Sequence, residues 1–404
     1  MNAADSAGDA YPSIFRHYVA RGLRATLAAF DAAADQLDAA QRERGLHLLS
    51  YGLRLDDAWS DVRDLTLTLA PHLEQQGYRQ AWMAVLTQAL MQANDRGDVV
   101  ASARLHLRLG RLHILLGEHI AAADHLTQAQ QLAAAAGDHA TQAHALERLG
   151  YNAFERSDLD AAQRNAEAAL ALTTSDDLTA IHARHLLAWV AVRRGALSEG
   201  IELLQQVLAW HRRQGQRQAL AAALRDLGGV YLYVQQYDQA IAPLHEAIDL
   251  FVALGNCFGE AVARMNLGVA HWYRGDYAQA LAAFAPCDAI FAQVDARIYL
   301  ARLYNNRGLV YCELGEYARA MTFFKQSIDV ARELQDFYEV ANALDSLANL
   351  YLRTGDIAAA LATWRVALDD LTRLPTPPEY LFNLIQERMA AVREEGRVVS
   401  SEGA

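Results

Sequence analysis

The sequence predicts an all-α fold, a solenoid of tandem helix-turn-helix repeats with a helical cap at each end, and three observations carry that expectation. A glycine or alanine stands at positions 70, 110, 150, 188, 228, 268, 308 and 348, a spacing of 40 residues broken by one step of 38. The same neighbours follow each copy. An aromatic or imidazole ring comes three places on (Tyr231, His271, Tyr311, Tyr351), a glycine seven on (Gly77, Gly117, Gly195, Gly275, Gly315, Gly355), an alanine twelve on (Ala122, Ala162, Ala240, Ala280, Ala320, Ala360) and a large apolar residue sixteen on (Leu126, Leu204, Leu244, Phe284, Phe324, Trp364). The composition, 53% hydrophobic and 21% charged with Ala and Leu dominant, favours helix and can fill a continuous core. A fixed period of this size marks a stack in which no unit buries its apolar face alone.

Taken in order, residues 1–10 are small and polar and read as disordered. Residues 11–56 read as an N-terminal helical cap: Ile14, Tyr18, Leu23, Leu27 and Phe30 have helical spacing, and a second helical stretch covers about 40–55. Residues 57–97 form a degenerate repeat, in which Arg79 and Trp82 replace the usual aromatic and alanine and Pro71 should kink a helix. Seven better repeats fill 98–371, each a first helix ending just beyond the small residue and a second helix after it, as at about 218–233 and 237–253. The small residue lets the two helices approach, and the glycine seven on permits the positive φ where a helix ends. Gly97-Asp98, Gly137-Asp138, Ser175-Asp176, Gly255-Asn256 and Gln335-Asp336 are the turns between repeats. A capping helix spans 375–395, with Thr376 as its N-cap, Pro377 at its first position and Glu379 completing a capping box, and 396–404 again read as disordered.

The charge of −12 argues against a nucleic-acid backbone as the main partner, because phosphate binding needs a concentrated basic surface. No apolar run is long enough to span a membrane. Cys257, Cys287 and Cys312 form no CxxC pair, so the chain reads as reduced and cytoplasmic, with the three thiols as small buried residues. No phosphate loop, GxSxG elbow or Cys/His arrangement appears, so no catalytic residue and no cofactor is expected. His182 and His185 with His144 on the equivalent stripe, and Glu147 as a fourth group, have metal-like spacing. Hydrogen bonding in a polar groove accounts for them better among 14 histidines, and no metal site is assigned.

The order small residue, aromatic, Gly, aromatic, Ala and large apolar residue, read over Leu227-Gly228 to Ala247 or Arg307-Gly308 to Ser327, resembles the tetratricopeptide repeat over residues 57–371. The period exceeds the usual 34 residues of that repeat. This resembles the lengthened units of kinesin light chains and of the arrays on bacterial signalling ATPases, to which Leu69-Ala70-Pro71-His72-Leu73-Glu74 with Gly77-Tyr78 is similar. The resemblance implies a right-handed α-solenoid whose concave groove, lined by the first helix of each repeat, holds another protein or peptide. Residues six and three before the small residue, and one and four after it, share a stripe there. Its polar and aromatic members are Arg104, Arg111, His144, Glu147, Tyr151, His182, His185, Trp189, Arg225, Met265, Trp272, Arg302, Asn305, Asn342, Asp345 and Asn349. The chain therefore reads as an adaptor, scaffold or regulatory subunit, with a switch operated by a peptide or small molecule as the alternative and the oligomeric state open.

Overall fold

The computed structural model describes residues 3–32, 39–75, 79–374 and 378–402, with side chains described over 14–30, 40–70, 81–374 and 378–392. Among the described residues every element is helical. The chain falls into two compact units, Met1–Val207 and Leu208–Ala404. The first holds α1 (Ala3–Ala32) and α2 (Ala39–Gly52), a 3-10 turn at Asp56–Ala58, and then helix pairs: α3 (Trp59–Gln75) with α4 (Arg79–Asp95), α5 (Val99–Leu115) with α6 (His119–Ala136), and α7 (His139–Glu155) with α8 (Leu159–Ala171), followed by α9 (Leu178–Arg193). The division falls within α10 (Leu197–Arg213). The second holds α11 (Arg217–Tyr233) with α12 (Tyr237–Ala253), α13 (Cys257–Tyr273) with α14 (Tyr277–Phe284) and α15 (Cys287–Gln293), α16 (Arg297–Glu313) with α17 (Tyr317–Glu333), α18 (Phe337–Arg353) with α19 (Ile357–Thr372), and last α20 (Glu379–Glu402). The array is thus an all-α solenoid of tandem helix-turn-helix repeats, as the period predicts.

Most hairpins close on one contact. The small residue of the first helix faces the large residue sixteen places on, which is fully buried at Leu126, Leu244, Phe284, Phe324 and Trp364. A Cβ on Gly110 would lie 2.5 Å from Leu126 Cγ, one on Gly308 2.4 Å from Phe324 Cε1, and one on Gly268 2.2 Å from Phe284 Cε1. Interhelical distance is therefore set by the missing side chain. The alanines twelve and nineteen places on are buried beside it, and at the latter slot Ser327 Oγ donates to the Ala301 carbonyl at 2.7 Å. In the degenerate repeat Trp82 fills the alanine slot with no exposure, so this hairpin opens to admit an indole where its neighbours hold a methyl.

The turns obey the same repeat. The position seven beyond the small residue has positive φ at Gly117, Gly195, Gly275, Gly315 and Gly355, and also at Ser157 and Gln235, where the sequence lacks the glycine. Gly77 lies outside the described residues. At the starts of first helices Asp98, Asp138, Asn256 and Asp336 cap through their side chains, each accepting from the backbone N–H three residues on. The 38-residue step comes from α8, which stops at Ala171; the cap there is Asp177, one residue beyond the expected turn.

Several boundaries differ from expectation. Helix α1 begins at Ala3, because the alanines of 3–10 propagate it, and α20 runs to Glu402, past the expected end at 395. The backbone of α3 stays helical through Pro71. The caps expected at Thr376 and Pro377 lie outside the described residues, and α20 starts at Glu379, with Phe382 N–H donating to the Pro378 carbonyl at 3.1 Å. Pro286 lies at the break between α14 and α15, where Arg307 Nη2 donates to the Phe284 carbonyl at 2.8 Å. In the first unit α1 and α2 place Val19, Leu23, Phe30, Leu49 and Leu53 in the core shared with α3 to α5. In the second, α20 adds Leu381, Ile385 and Met389 to the core of the last repeat.

Two consequences are measurable. Gly268→Ala should destabilise the chain by about 1–3 kcal/mol, because the methyl group must displace Phe284, whereas Gln235→Gly, at φ 61°, should stabilise it by about 0.5–1 kcal/mol; denaturant midpoints at constant slope decide both. The second concerns pH. His106 Nδ1 lies 2.9 Å from His125 Nδ1 across α5 and α6, and burial with the neighbouring imidazole holds His106 down to about 4. Burial and His113 also lower His125. The unfolded chain titrates near 6.5 and so binds more protons than the folded chain between there and about 4, which makes stability full above that window and reduces it as the pH falls. Replacing His106 by Asn should flatten the decline in denaturation midpoint between pH 7 and 5, and an unchanged slope would refute the assignment.

Candidate functional site

The first helices of the first unit, α3, α5, α7 and α9, pack side by side, and the clefts between them gather the polar side chains. One cleft of about 350 Å3 is lined by Leu67, Arg104, Leu107, Arg108, Asp138, Ala140, Thr141, His144 and Thr179. A second, of about 260 Å3, is lined by Arg111, Ile114, Leu115, His119, Arg148, Tyr151 and Glu155. Arg104 bridges α5 to the start of α7, with Nη2 3.0 Å from Asp138 Oδ2. Asp138 also caps α7, and the Thr141 N–H, the Thr141 hydroxyl and Arg104 outweigh its burial, so its carboxyl sits below the usual range.

Beside the half-buried Arg148 lies a buried carboxylate. Glu147 is 2% exposed and accepts from Arg148 Nε at 2.5 Å. Burial raises its carboxyl, opposed by Arg148, Arg111 and His185. Burial also pushes His144 well below the ordinary imidazole value, and Arg148, Arg111, Arg108 and His182 push it in the same direction. Burial first, and these four cationic groups after it, therefore disfavour the protonated form of His144. Above it Tyr151 is exposed, with the Arg148 guanidinium 5.7 Å from its ring centre, and Arg193 covers Phe154 at 5.7 Å. His182, His185 and Trp189 are half-buried on α9.

The phase of the stripe differs from the sequence expectation. In five repeats the residue three before the small residue is packed between neighbouring helices: Leu107, Glu147, Met265, Asn305 and Asp345 are all under 9% exposed, whereas His185 and Arg225 at that position are half-buried. Lining residues also come from two before and five after it, which brings in Arg108, Arg148, Leu115 and Glu155. The sequence held a signal for these, since Arg104, Arg108 and Arg111, like His144, Arg148 and Tyr151, are spaced by four and three residues and share a helical face.

In the second unit the corresponding side chains are drawn into packing. Asp345 accepts from Trp364 Nε1 at 2.8 Å and pairs with Arg388, tying α18 to α19 and α20. Asn349 donates to the Asp345 carbonyl of its own helix at 2.8 Å, and the carbonyl of half-buried Asn342 accepts from Ser346 Oγ at 3.2 Å. Arg302 Nε is 2.6 Å from Glu339 Oε1, and Arg225 Nη2 is 2.9 Å from Asp226 Oδ1 on its own helix. Met265 is buried in the core of its repeat, Trp272 packs against it with the Tyr273 ring at 4.3 Å, and Asn305 Oδ1 is buried without a protein partner.

Among the described residues no three His, Cys, Asp or Glu side chains are placed to hold a metal ion, and no helix is long and apolar enough to cross a membrane. Cys287 and Cys312 are buried, and burial pushes their thiols up to about 12 and about 11, where they stay protonated at neutral pH. Cys257 is exposed, against the expectation that all three are buried, because it opens α13 on the solvent side.

Comparison with known proteins agrees with this architecture. A sequence model of the tetratricopeptide repeat matches residues 219–287 and 299–372, and one of anaphase-promoting complex subunit 5 matches 70–152 and 185–252. No curated protein matches the sequence significantly. A signal-transduction ATPase with a tetratricopeptide-repeat sensor from Pyrococcus horikoshii superimposes with a TM-score of 0.60 at 16% identity, covering 89% of this chain and 56% of that one. A Rap protein complexed with competence and sporulation factor gives 0.57 at 16% identity, covering 83% of this chain and 98% of that one. NprR in complex with its cognate peptide NprX gives 0.50 at 12% identity, over 65% and 77%. With helix pairs of this spacing and a match to the tetratricopeptide-repeat model over residues 219–287 and 299–372, the chain carries tetratricopeptide repeats in units lengthened to about 40 residues.

Proposed function

We propose that this protein is a non-catalytic docking module, an adaptor or regulatory subunit that holds a segment of another protein on the first-helix face of residues 59–193. The carrying observation is the contrast between the units. In the first, Arg104, Arg108, Arg111, Arg148 and Tyr151 line two neighbouring clefts, with Arg104 paired to Asp138 and Arg148 to Glu147, whereas in the second Asp345 and Asn349 are held inside the packing of α18 to α20. Large aromatic and arginine side chains around concave surface are what protein interfaces use as anchors. A cytoplasmic location fits the three free cysteines.

A second reading, a switch of the bacterial signalling kind operated by a peptide, draws support from the shared fold of NprR with its peptide and of the Rap complex, the latter over 98% of its chain. A switch is stabilised by its small ligand alone, whereas an adaptor is stabilised by its protein partner. Thermal shift against host peptides separates the two.

The docking reading is tested by affinity capture from the native host. Tyr151→Ala, at an exposed position, should lower recovery of a stoichiometric partner at least about tenfold, the loss typical of an aromatic anchor. Asn342→Ala should leave recovery unchanged. Absence of a stoichiometric partner, or equal capture by the Tyr151 variant, refutes the reading.

A further inference from the structure

We propose that the outer face of α1 is a peripheral membrane contact, which lies on the headgroups of an anionic bilayer without crossing it. This surface is separate from the clefts of α5 and α7, and the inference is independent of the docking reading. Its first support is what the helix leaves uncovered. Helix α1 turns Val19, Leu23, Thr26 and Phe30 inward, where all four are buried. At about 100° per residue, Ile14, Tyr18, Arg21, Ala25 and Ala28 share an arc of about 80° on the opposite side. All five are exposed, Ile14 by 52% and Tyr18 by 66%. The outer face of a terminal helix in a stack is expected to be polar, since no further repeat covers it. Of these five, only Arg21 and the Tyr18 hydroxyl are polar. Phe15, 46% exposed, extends the apolar surface toward α2, edge-on to the Tyr51 ring at 5.6 Å.

The second support is charge. No Asp or Glu occurs between Asp9 and Asp31, although the chain carries −12, and the same stretch holds Arg16, His17, Arg21 and Arg24. Arg16 and Arg21 are exposed, and Arg24, its side chain 64% exposed, meets Asp61 of α3 at 3.4 Å. Cations beside an exposed aliphatic and aromatic strip suit a lipid surface, where arginine meets phosphate and tyrosine sits at the level of the headgroups. A second copy is disfavoured as the occupant. An isologous contact through this face would set Arg21 among the same cations of the other helix, with no acid on the face to offset them. Nucleic acid offers phosphate but nothing for Ile14, and the acidic remainder of the chain repels a long polyanion. That remainder also confines the lipid contact to α1, which makes attachment reversible and sensitive to salt.

The test is co-sedimentation of the full chain with vesicles of phosphatidylcholine alone, or with about one-third phosphatidylserine. Partition onto the serine lipid should exceed that onto phosphatidylcholine at least about tenfold and fall as salt rises. I14S/Y18S changes exposed positions and leaves the buried face of α1 intact, so it should lose most of the binding with unchanged helicity. R16Q/R21Q should lose the preference for the serine lipid, and R16K/R21K should keep it, since a bilayer needs the charge and not the planar fork. Equal binding to both vesicles, no binding to either, or unchanged binding of I14S/Y18S or of R16Q/R21Q each overturns the proposal. Dimerisation without lipid that I14S/Y18S abolishes also overturns it and assigns the face to a second copy, as does tighter binding of a single-stranded oligothymidylate in favour of nucleic acid. Tyr151→Ala should leave sedimentation unchanged, so loss of partner capture and loss of lipid binding report on different faces.

Discussion

The architecture depends on one close approach, repeated down most of the chain: a glycine or alanine on the first helix of a hairpin against a large apolar residue on the second. At Gly110 and Leu126, Gly228 and Leu244, Gly268 and Phe284, and Gly308 and Phe324 the pair leaves no room for even a methyl group. Fixing that distance fixes where the alanines twelve and nineteen places on can pack, and these fix how the next hairpin is laid down. Helix propensity alone would give amphipathic helices without a defined partner. The glycine costs some helix stability and is offset by burial of the ring or leucine it admits.

The same constraint explains how two faces of similar sequence come to differ. In the first unit, α5 and α7 place Arg104, Arg108, Arg111 and Arg148 along the clefts, where Arg104 pairs with Asp138 and Arg148 with the buried Glu147. In the second, the equivalent stripe meets the indole of Trp364 and the guanidinium of Arg388, which close over Asp345. What an ionisable group at a given repeat position pairs with therefore depends on what the following helices place against it. The placement of charge, and not its amount, separates the two units.

Much of the fold could be read before any coordinates because its determinants are local in sequence. A small residue and its partner sixteen positions on belong to one hairpin, and the Asp or Asn caps lie next to the helices they start. The turns were partly legible: the left-handed position was marked by glycine in most repeats but by Ser157 and Gln235 in two, where the stacked hairpins impose a conformation the residue itself does not favour. The site was less legible. Periodicity gives a helix a stripe, but its phase against the neighbours is set by packing between repeats, which put Glu147 and Asn305 inside and brought Arg108 and Arg148 to the clefts.

The interruption at Pro286 bears on how such a stack comes apart. In a one-dimensional array each hairpin is held by its own helices and by its immediate neighbours, so the joint with the poorest ladder sets where cooperativity ends. Here one second helix is cut into two short pieces, and the Phe284 carbonyl at the break is held by a single guanidinium from the following repeat, Arg307, which also pairs with Asp288. That arginine acts as a latch between consecutive hairpins. When the following repeat melts it withdraws the latch, so fraying that starts at the carboxyl end passes readily into the hairpin carrying the proline and halts only at the uninterrupted helices before it.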